Sequence, residues 1–135
     1  MIFASAFFDT NILLYSVGHE DDERRQVARA LLSDGGAISV QTLNEMAAVM
    51  RSKWAMGWAE IDDVVNIFRE ELDVHPITPR SQALAMSLAS QHMLNIYDAN
   101  ILASAQLAGF ETVLSEDFSH RGRYGEVTVV NPFVL

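Results

Sequence analysis

The chain has 135 residues, of which 50% are hydrophobic and 20% are charged. This length and apolar content predict one domain, residues 1–135, with a single buried core, and they exclude a disordered chain. No apolar stretch is long enough to span a bilayer, so we expect a soluble protein with no membrane partner. The absence of cysteine excludes disulfides and thiolate metal sites, and it fits a cytoplasmic location.

The formal net charge of -9 at pH 7 is unusual for a protein that binds nucleic acid. Phosphate binding normally uses a basic surface, so bulk electrostatics argues against RNA as a partner. However, divalent ions held by some of the acids would reverse the local sign of the charge. The nine basic residues need only line one edge of the protein. The net charge therefore does not exclude a nuclease.

Strand-like and helix-like segments alternate along the chain. The predicted strands are residues 1–8, 37–40, 74–77, 112–114 and 127–130. The predicted helices are residues 10–17, 21–35, 42–53, 59–72, 79–92 and 98–109. This alternation predicts an α/β fold: a three-layer α/β/α sandwich with a mainly parallel central sheet covered by helices on both faces.

Four acidic residues stand where a parallel sheet gathers functional groups. Asp9, Glu45 and Asp117 follow predicted strands closely, and Asp98 opens a predicted helix. Functional side chains of open α/β sheets collect beyond the carboxyl ends of the strands. If the four acids converge there, their like charges raise at least one pKa unless a divalent cation neutralises them. Oxygen ligands without cysteine or paired histidines favour Mg²⁺ or Mn²⁺ over Zn²⁺.

Polar neighbours extend this candidate metal site. Asn11 and Ser115 are short polar residues beside two of the acids, and they are suited to hold metal-bound water. Glu116 is either a further ligand or a solvent-facing residue. The sequence leaves these two roles of Glu116 open.

Each acid also has a purely structural explanation. Asp9, Asp98 and Asp117 are suited to be helix N-caps. The segment Thr42-Leu43-Asn44-Glu45 is a formal capping box, in which Glu45 bonds back to the amide of its first residue. Capping does not require an acid at each of these junctions, because serine or threonine serves as well. The set as a whole therefore favours a metal site over four separate caps.

Five motifs, in their order and spacing, give the chain a specific resemblance. The chain resembles the PIN-domain ribonucleases of the VapC type, which are toxins of bacterial toxin-antitoxin pairs, almost from end to end. The motifs are Phe8-Asp9-Thr10-Asn11-Ile12-Leu13, Leu43-Asn44-Glu45, Tyr97-Asp98-Ala99-Asn100-Ile101-Leu102-Ala103, Leu114-Ser115-Glu116-Asp117-Phe118 and Val130-Asn131-Pro132-Phe133.

The resemblance implies a single PIN-like nuclease domain that acts as a Mg²⁺-dependent endoribonuclease, hydrolysing RNA with metal-activated water. It implies an RNA substrate, a cognate antitoxin protein and a toxin homodimer. It places the catalytic and metal-binding acids of the family, with their polar companions, on Asp9, Glu45, Asp98, Asp117, Asn11 and Ser115.

Two regions leave alternatives open. Residues 119–125 stand where members of this family often carry a shorter turn, and His120, Arg121 and Arg123 are either contacts for RNA phosphate or part of an ordinary surface loop. Trp54 and Trp58 are either core residues or the lining of a groove for an antitoxin.

Two other functions remain to be weighed. Asp9-Thr10-Asn11 after a strand imitates the first motif of haloacid-dehalogenase-like phosphatases, but that family needs a well-placed lysine, and Lys53 lies in a predicted helix. The other alternative is a non-catalytic PIN-like module that only binds a partner. The presence of all four acids argues against it.

Overall fold

The computed structural model describes residues 6–18 and 21–135, with Asp22 described for its backbone alone. Residues 1–5 of the predicted first strand lie outside the described residues. The described strands are β1 (Phe7–Phe8), β2 (Ala37–Ser39), β3 (Asp73–His75), β4 (Thr112–Leu114), β5 (Arg123–Tyr124) and β6 (Val127–Val130). The described helices are α1 (Thr10–Val17), α2 (Asp22–Ser33), α3 (Val40–Ser52), α4 (Trp58–Glu71), α5 (Pro79–His92) and α6 (Ile96–Leu107), followed by a 3-10 helix (Pro132–Val134).

The six described strands form one sheet in the order β3-β2-β1-β4-β6-β5. All neighbours pair in parallel except β5, which runs antiparallel beside β6. Phe7 pairs with both Ala37 and Val113, which places β1 between β2 and β4. Strands β2 and β3 therefore lie on one side of β1, and strands β4, β6 and β5 lie on the other. Open α/β sheets hold their ligands where the strand order reverses in this way.

Adjacent residues of each strand face opposite layers, as the two-residue period of a strand requires. Phe8 and Leu114 pack in one apolar core with helices α1 to α4. Phe7 and Val113 pack in a second core with α5 and α6. The sheet thus lies between two helical layers, and the predicted three-layer α/β/α sandwich with a mainly parallel sheet is confirmed.

Helix α3 begins earlier than the sequence predicts. Its N-cap is Ser39, because the Ser39 Oγ accepts a hydrogen bond of 3.0 Å from the Gln41 amide. Val40 is already helical. The predicted N-cap at Thr42 and its capping box with Glu45 are therefore wrong.

The capping alternative does not hold for Asp98 or Asp117. Helix α6 begins at Ile96, and the Asn95 Oδ1 accepts a hydrogen bond of 2.9 Å from the Asp98 amide, so Asn95 is the N-cap. Asp98 lies in the first turn instead. Asp117 caps none of the described helices. The capping alternative holds for Asp9, which is the N-cap of α1.

Strand boundaries also differ from the predictions. Strands β2 and β3 end sooner than residues 37–40 and 74–77 imply, and the two-residue strand β5 is not among the predicted strands. In the described part of the chain the longest helices have 14 residues. None of the helices described is long and apolar enough to cross a membrane.

Gly36 provides a test of how closely the chain packs at the start of β2. Its φ is 137°, and an added Cβ would lie 2.5 Å from Phe8 Cε2 and 2.7 Å from the Ala6 carbonyl oxygen. We expect Gly36→Ala to lower the free energy of unfolding by about 3 kcal/mol, because strain and overpacking add. Gly35→Ala is the matched control, since Gly35 has a positive φ of 81° but open space around its Cβ position. Urea unfolding of both variants checks this, and equal losses would contradict the packing argument.

Candidate active site

Asp9 lies at the carboxyl end of the central strand and is only 2% exposed. Its Oδ1 accepts a hydrogen bond of 2.7 Å from the Thr10 amide, and its Oδ2 accepts one of 2.6 Å from the Ser115 hydroxyl. Its own amide donates to the Leu114 carbonyl at 3.0 Å, which joins it to β4. The backbone and side chain of Asp9 are therefore both held between β1 and β4.

Asn11 and Ser115 connect Asp9 to Asp117. The Asn11 amide group donates to the Asp117 Oδ2 at 3.0 Å, to the Ser115 Oγ at 3.2 Å and to the Asp9 Oδ2 at 3.5 Å. The Ser115 Oγ also accepts a hydrogen bond of 3.0 Å from the Asp117 amide. Asp117 is exposed, so this network places one solvent-facing carboxylate beside one buried carboxylate.

Glu45 reaches the site from α3, on its second turn, and is half-buried. The Thr10 hydroxyl donates to its Oε2 at 3.3 Å. Thr10 therefore contacts two acids, through its amide to Asp9 and through its hydroxyl to Glu45. The side chain of Glu45 points to the sheet edge and not to a capping position.

Asp98 reaches the site from the first turn of α6 and is half-buried. Its Oδ2 accepts a hydrogen bond of 2.9 Å from the Asn95 side-chain amide, and its backbone amide donates to Asn95 Oδ1. This reciprocal pair fixes Asp98 on the helix start, and the hydrogen bond from Asn95 opposes only part of the rise in the pKa of Asp98 that burial causes.

Burial and neighbouring carboxylates raise the pKa values of three of the four acids. The pKa of Asp9 is raised from 3.8 to about 6, chiefly by burial, with the charges of Asp117 and Asp98 acting in the same direction. The pKa of Glu45 is raised from 4.5 to about 7, chiefly by burial and then by the charges of Asp9, Asp98 and Asp117. Burial and the charge of Asp117 also raise the pKa of Asp98. The structure thus brings all four predicted acids to one sheet edge.

These carboxylates fit a hydrated divalent cation. None of the ion pairs between described residues includes Asp9, Glu45, Asp98 or Asp117. These ion pairs join Arg24 to Asp21 and Glu116, and Arg69 to Asp62. The Asn11 Oδ1 is buried beside Asp9 and has no hydrogen-bond partner among the described residues, which leaves one acceptor for a bound water.

The acids do not form a closed ligand cage. Within the described residues, no group of three or more His, Cys, Asp or Glu side chains is placed to hold a metal ion directly. Mg²⁺ usually keeps several waters and takes only one or two protein carboxylates. A cation at these acids would therefore take most of its ligands from water.

Glu116 lies beside Asp117 but has other partners. The Tyr15 hydroxyl donates a short hydrogen bond to its Oε1, and the Arg24 Nε donates to its Oε2 at 3.3 Å. The Arg24 guanidinium also lies over the rings of Tyr15 and Phe133, at 5.7 and 5.4 Å. Both oxygens of Glu116 are engaged on α1 and α2, so a metal would have to displace these donors.

Two site residues escaped the sequence analysis. Thr10 belongs to the Asp9 motif, but the motif assigns it no role, whereas in the structure its hydroxyl contacts Glu45. Asn95 was placed outside any element, although it holds Asp98. The spacing Asn95-x-x-Asp98 is the pattern of a helix N-cap with an acid at the third helical position, and this signal would have found Asn95.

A sequence model of the PIN domain matches residues 6–123. The chain belongs to the PIN domain family. The family resemblance inferred from the motifs is thereby confirmed. No curated protein matches this PIN-domain chain in sequence.

Solved structures of the same fold cover nearly the whole PIN-domain chain. A toxin-antitoxin complex from Klebsiella pneumoniae has a TM-score of 0.68 and 25% identity, over 95% of this chain and 98% of that chain. The VapC20 toxin of Mycobacterium tuberculosis, described as cleaving the sarcin-ricin loop, has a TM-score of 0.71 and 20% identity, over 92% and 99%. DNA-bound VapBC from Salmonella typhimurium has a TM-score of 0.69 and 17% identity, over 96% and 97%. The last two identities establish likeness of fold alone.

The raised pKa of Asp9 predicts a pH dependence of stability in the metal-free protein. The folded state binds a proton at Asp9 up to about pH 6, whereas the unfolded state releases it near pH 4, so ionisation destabilises the fold between these values. We expect the melting temperature to fall from about pH 4 to pH 7. Ionisation of Asp9 alone should lower the free energy of unfolding by about 3 kcal/mol over this range.

The matched comparison is Asp9→Asn against Asp63→Asn, which changes an exposed acid of α4. Melting curves in EDTA should show that Asp9→Asn flattens this decline and that Asp63→Asn does not. The same pH dependence in both variants would contradict a destabilising charge at Asp9.

Proposed function

We propose that this PIN-domain protein is a Mg²⁺-dependent endoribonuclease and the toxin of a type II toxin-antitoxin pair. The observation that carries the proposal is the gathering of Asp9, Glu45, Asp98 and Asp117 at the carboxyl end of the central strands, where burial and neighbouring carboxylates raise the pKa values of Asp9, Glu45 and Asp98. Acids held together in this way at a cost in stability favour a site for a cation. Family membership supports nuclease chemistry for that site.

The four carboxylates would hold Mg²⁺, in part through water, and Mn²⁺ suits the same oxygen ligands. When bound, the ion supplies positive charge to the phosphodiester and to the attacking water. The chain's own residues prepare the site beforehand. Thr10 and Ser115 fix both oxygens of Asp9, and Asn11 fixes Asp117 relative to it. These contacts orient the acids before any ligand arrives, which reduces the reorganisation that binding requires.

The proposal includes an antitoxin partner. It is supported by the likeness to solved structures named as toxin-antitoxin complexes. A groove on the PIN-domain protein suits a partner segment, because the half-buried Trp54 lines two adjoining cavities of about 300 and 440 Å³. The first of these cavities reaches Asn11, so an apolar segment bound there would lie next to the carboxylates. Trp58 is 62% exposed and is not a core residue. Homodimerisation and a cytoplasmic location are proposed from the family resemblance alone.

The phosphatase alternative requires a lysine beside Asp9. Lys53 follows α3 and lines the cavity that reaches Asn11, but within the described residues no hydrogen bond or ion pair links it to Asp9. Membership in the PIN domain family also argues against this alternative. A non-catalytic module differs from the proposal only in lacking cleavage, so the experiment must measure RNA cleavage.

The central test is RNA cleavage by the wild-type protein and by Asp9→Asn in Mg²⁺. We expect the substitution to lower the cleavage rate on the order of a hundredfold or more, because it removes the buried charge around which the site is arranged. Fragment mapping on total RNA measures the cleavage. Asp63→Asn is the control and should cleave as the wild type does.

Each alternative predicts a different outcome. Undiminished cleavage by Asp9→Asn would reject the assigned site. Absence of cleavage by the wild type, together with binding of RNA or a partner, would favour the non-catalytic module. Rapid turnover of para-nitrophenyl phosphate without cleavage of RNA would favour the phosphatase.

A second test concerns the metal ion without reference to activity. We expect Mg²⁺ at saturating concentration to raise the melting temperature of the wild type by about 3 °C, because binding stabilises the folded state. The shift should be smaller in Asp98→Asn and unchanged in Asp63→Asn. Equal shifts in the wild type and Asp98→Asn would show that Asp98 does not share the ion.

A further inference from the structure

A basic segment adjoins the candidate active site. Residues 118–125, here called the basic strap, follow Asp117 directly and contain Arg121, Arg123 and His120 but no acidic residue. The strap is positively charged, whereas the whole chain has a net charge of -9. The strap includes β5 and leads into β6.

Aromatic contacts anchor both ends of the basic strap. The rings of Phe118 and Tyr124 lie 5.4 Å apart, and Tyr124 also meets the His92 ring of α5 edge-on at 5.1 Å. The Tyr124 hydroxyl accepts a hydrogen bond of 3.3 Å from the Ser119 amide. The strap therefore packs on the second helical layer and does not stand free in solvent.

Backbone contacts place the middle of the strap at the active-site edge of the sheet. The Arg121 amide donates to the Val129 carbonyl at 2.7 Å, and the Asn131 amide donates to the His120 Nδ1 at 3.0 Å. Val129 and Asn131 lie at the carboxyl end of β6, which runs parallel to β4. Because β4 leads to Ser115 and Asp117, His120 and Arg121 lie at the same end of the sheet as the carboxylates. Arg123 pairs with Thr128, two residues before the end of β6.

The charges of the strap are available to a ligand. Most arginines of the described residues have internal partners: Arg24 pairs with Asp21, Arg29 donates to the Ser16 carbonyl, Arg51 to that of Met56, and Arg69 pairs with Asp62. Arg121 and Arg123 are exposed, and their guanidinium groups form no hydrogen bond or ion pair with any described residue.

The backbone of Arg121 has a left-handed conformation. Its φ is 64°, in the left-handed region that costs a non-glycine residue about 1 kcal/mol or more. The neighbouring His120 accepts a hydrogen bond at Nδ1, so its neutral ring carries the proton on Nε2 and can donate outward. The strap therefore presents two guanidinium groups and one imidazole donor on a fixed backbone.

We propose that the basic strap binds the phosphate backbone of the RNA substrate through Arg121 and Arg123. This inference rests on the proposed function, because it assigns a binding surface to the same site. Guanidinium groups match phosphate oxygens in geometry and charge. An acidic protein that binds RNA needs cations near its site, and the strap supplies them at the edge where the scissile phosphate would lie.

The test compares Arg121→Gln, Arg123→Gln and the double variant with Arg69→Gln. Arg69 is exposed near the end of α4, which leads into β3 at the opposite edge of the sheet. The substitution Arg69→Gln therefore removes one positive charge far from the site. The probe is a fluorescently labelled single-stranded RNA of mixed sequence, bound in EDTA so that it is not cut. Affinity is measured as a function of salt concentration.

We expect the double variant to bind roughly tenfold more weakly at low salt and to lower the slope of log affinity against log salt by about 1.4, because each phosphate contact contributes about 0.7. Each single variant should give about half of the slope change. Arg69→Gln should leave the slope unchanged. In Mg²⁺, the strap variants should raise KM for RNA and leave kcat nearly constant, since they do not touch the reacting atoms.

Binding and slopes equal to those of the wild type would overturn the proposal, and so would a slope change of the same size in Arg69→Gln. Loss of antitoxin binding without loss of RNA binding would also overturn it and make the strap a protein interface. These outcomes are distinct from failure of the proposed function, which is judged by whether the wild type cleaves RNA at all.

Discussion

The site depends on one buried carboxylate at the end of the central strand. Asp9 is almost inaccessible to water, and its ionised form is stabilised by two short hydrogen bonds, from the Thr10 amide and the Ser115 hydroxyl. These bonds do not offset the loss of solvation, because its pKa still rises to about 6. The same donors orient the rest of the site, since Thr10 also contacts Glu45 and Ser115 also receives the Asp117 amide. A charge that is costly to bury thus sets the positions of its neighbours.

The fold can hold that charge because β1 is packed on both faces. Phe7 and Phe8 are fully buried in opposite cores, and β1 is bonded to β2 and β4 on either side. A strand constrained in this way leaves the next residue little freedom, so Asp9 has a defined position despite its unfavourable solvation. The paired residues Val113 and Leu114 repeat the arrangement one strand away and bring Ser115 to the same edge. The precision of the site comes from the apolar residues directly before its polar ones.

What the sequence could predict follows from this arrangement. The alternation of strands with helices predicted the parallel sheet and put Asp9 and Asp117 at one edge, because the carboxyl ends of parallel strands coincide. Glu45 and Asp98 reach that edge from helices, so their convergence depended on helix starts that local sequence did not settle. Ser39 and Thr42 are both good N-caps by residue type, and the structure shows that Ser39 takes this role, because its Oγ accepts a hydrogen bond from the Gln41 amide. Strand β5 consists of two residues joined to β6 by main-chain bonds, which no side-chain pattern records. The partners of Glu116 lie on α1 and α2, far away in sequence.

The opposite charges of the carboxylates and the basic strap have different consequences for binding. If a divalent ion and RNA meet at the carboxylates, each favours the binding of the other, because the ion removes the repulsion that the acids exert on phosphate. The affinity of that part of the surface then varies with metal concentration and with pH, as the acids titrate within the physiological range. The strap carries arginine side chains, which are permanent cations in proteins. The strap would therefore hold RNA near the site whether or not the metal is bound, and the metal would decide only whether the phosphate can approach the acids. Such a division would allow a protein with a strongly negative net charge to bind a polyanion, because the strap would attract the RNA and the neighbouring acids would carry out the chemistry.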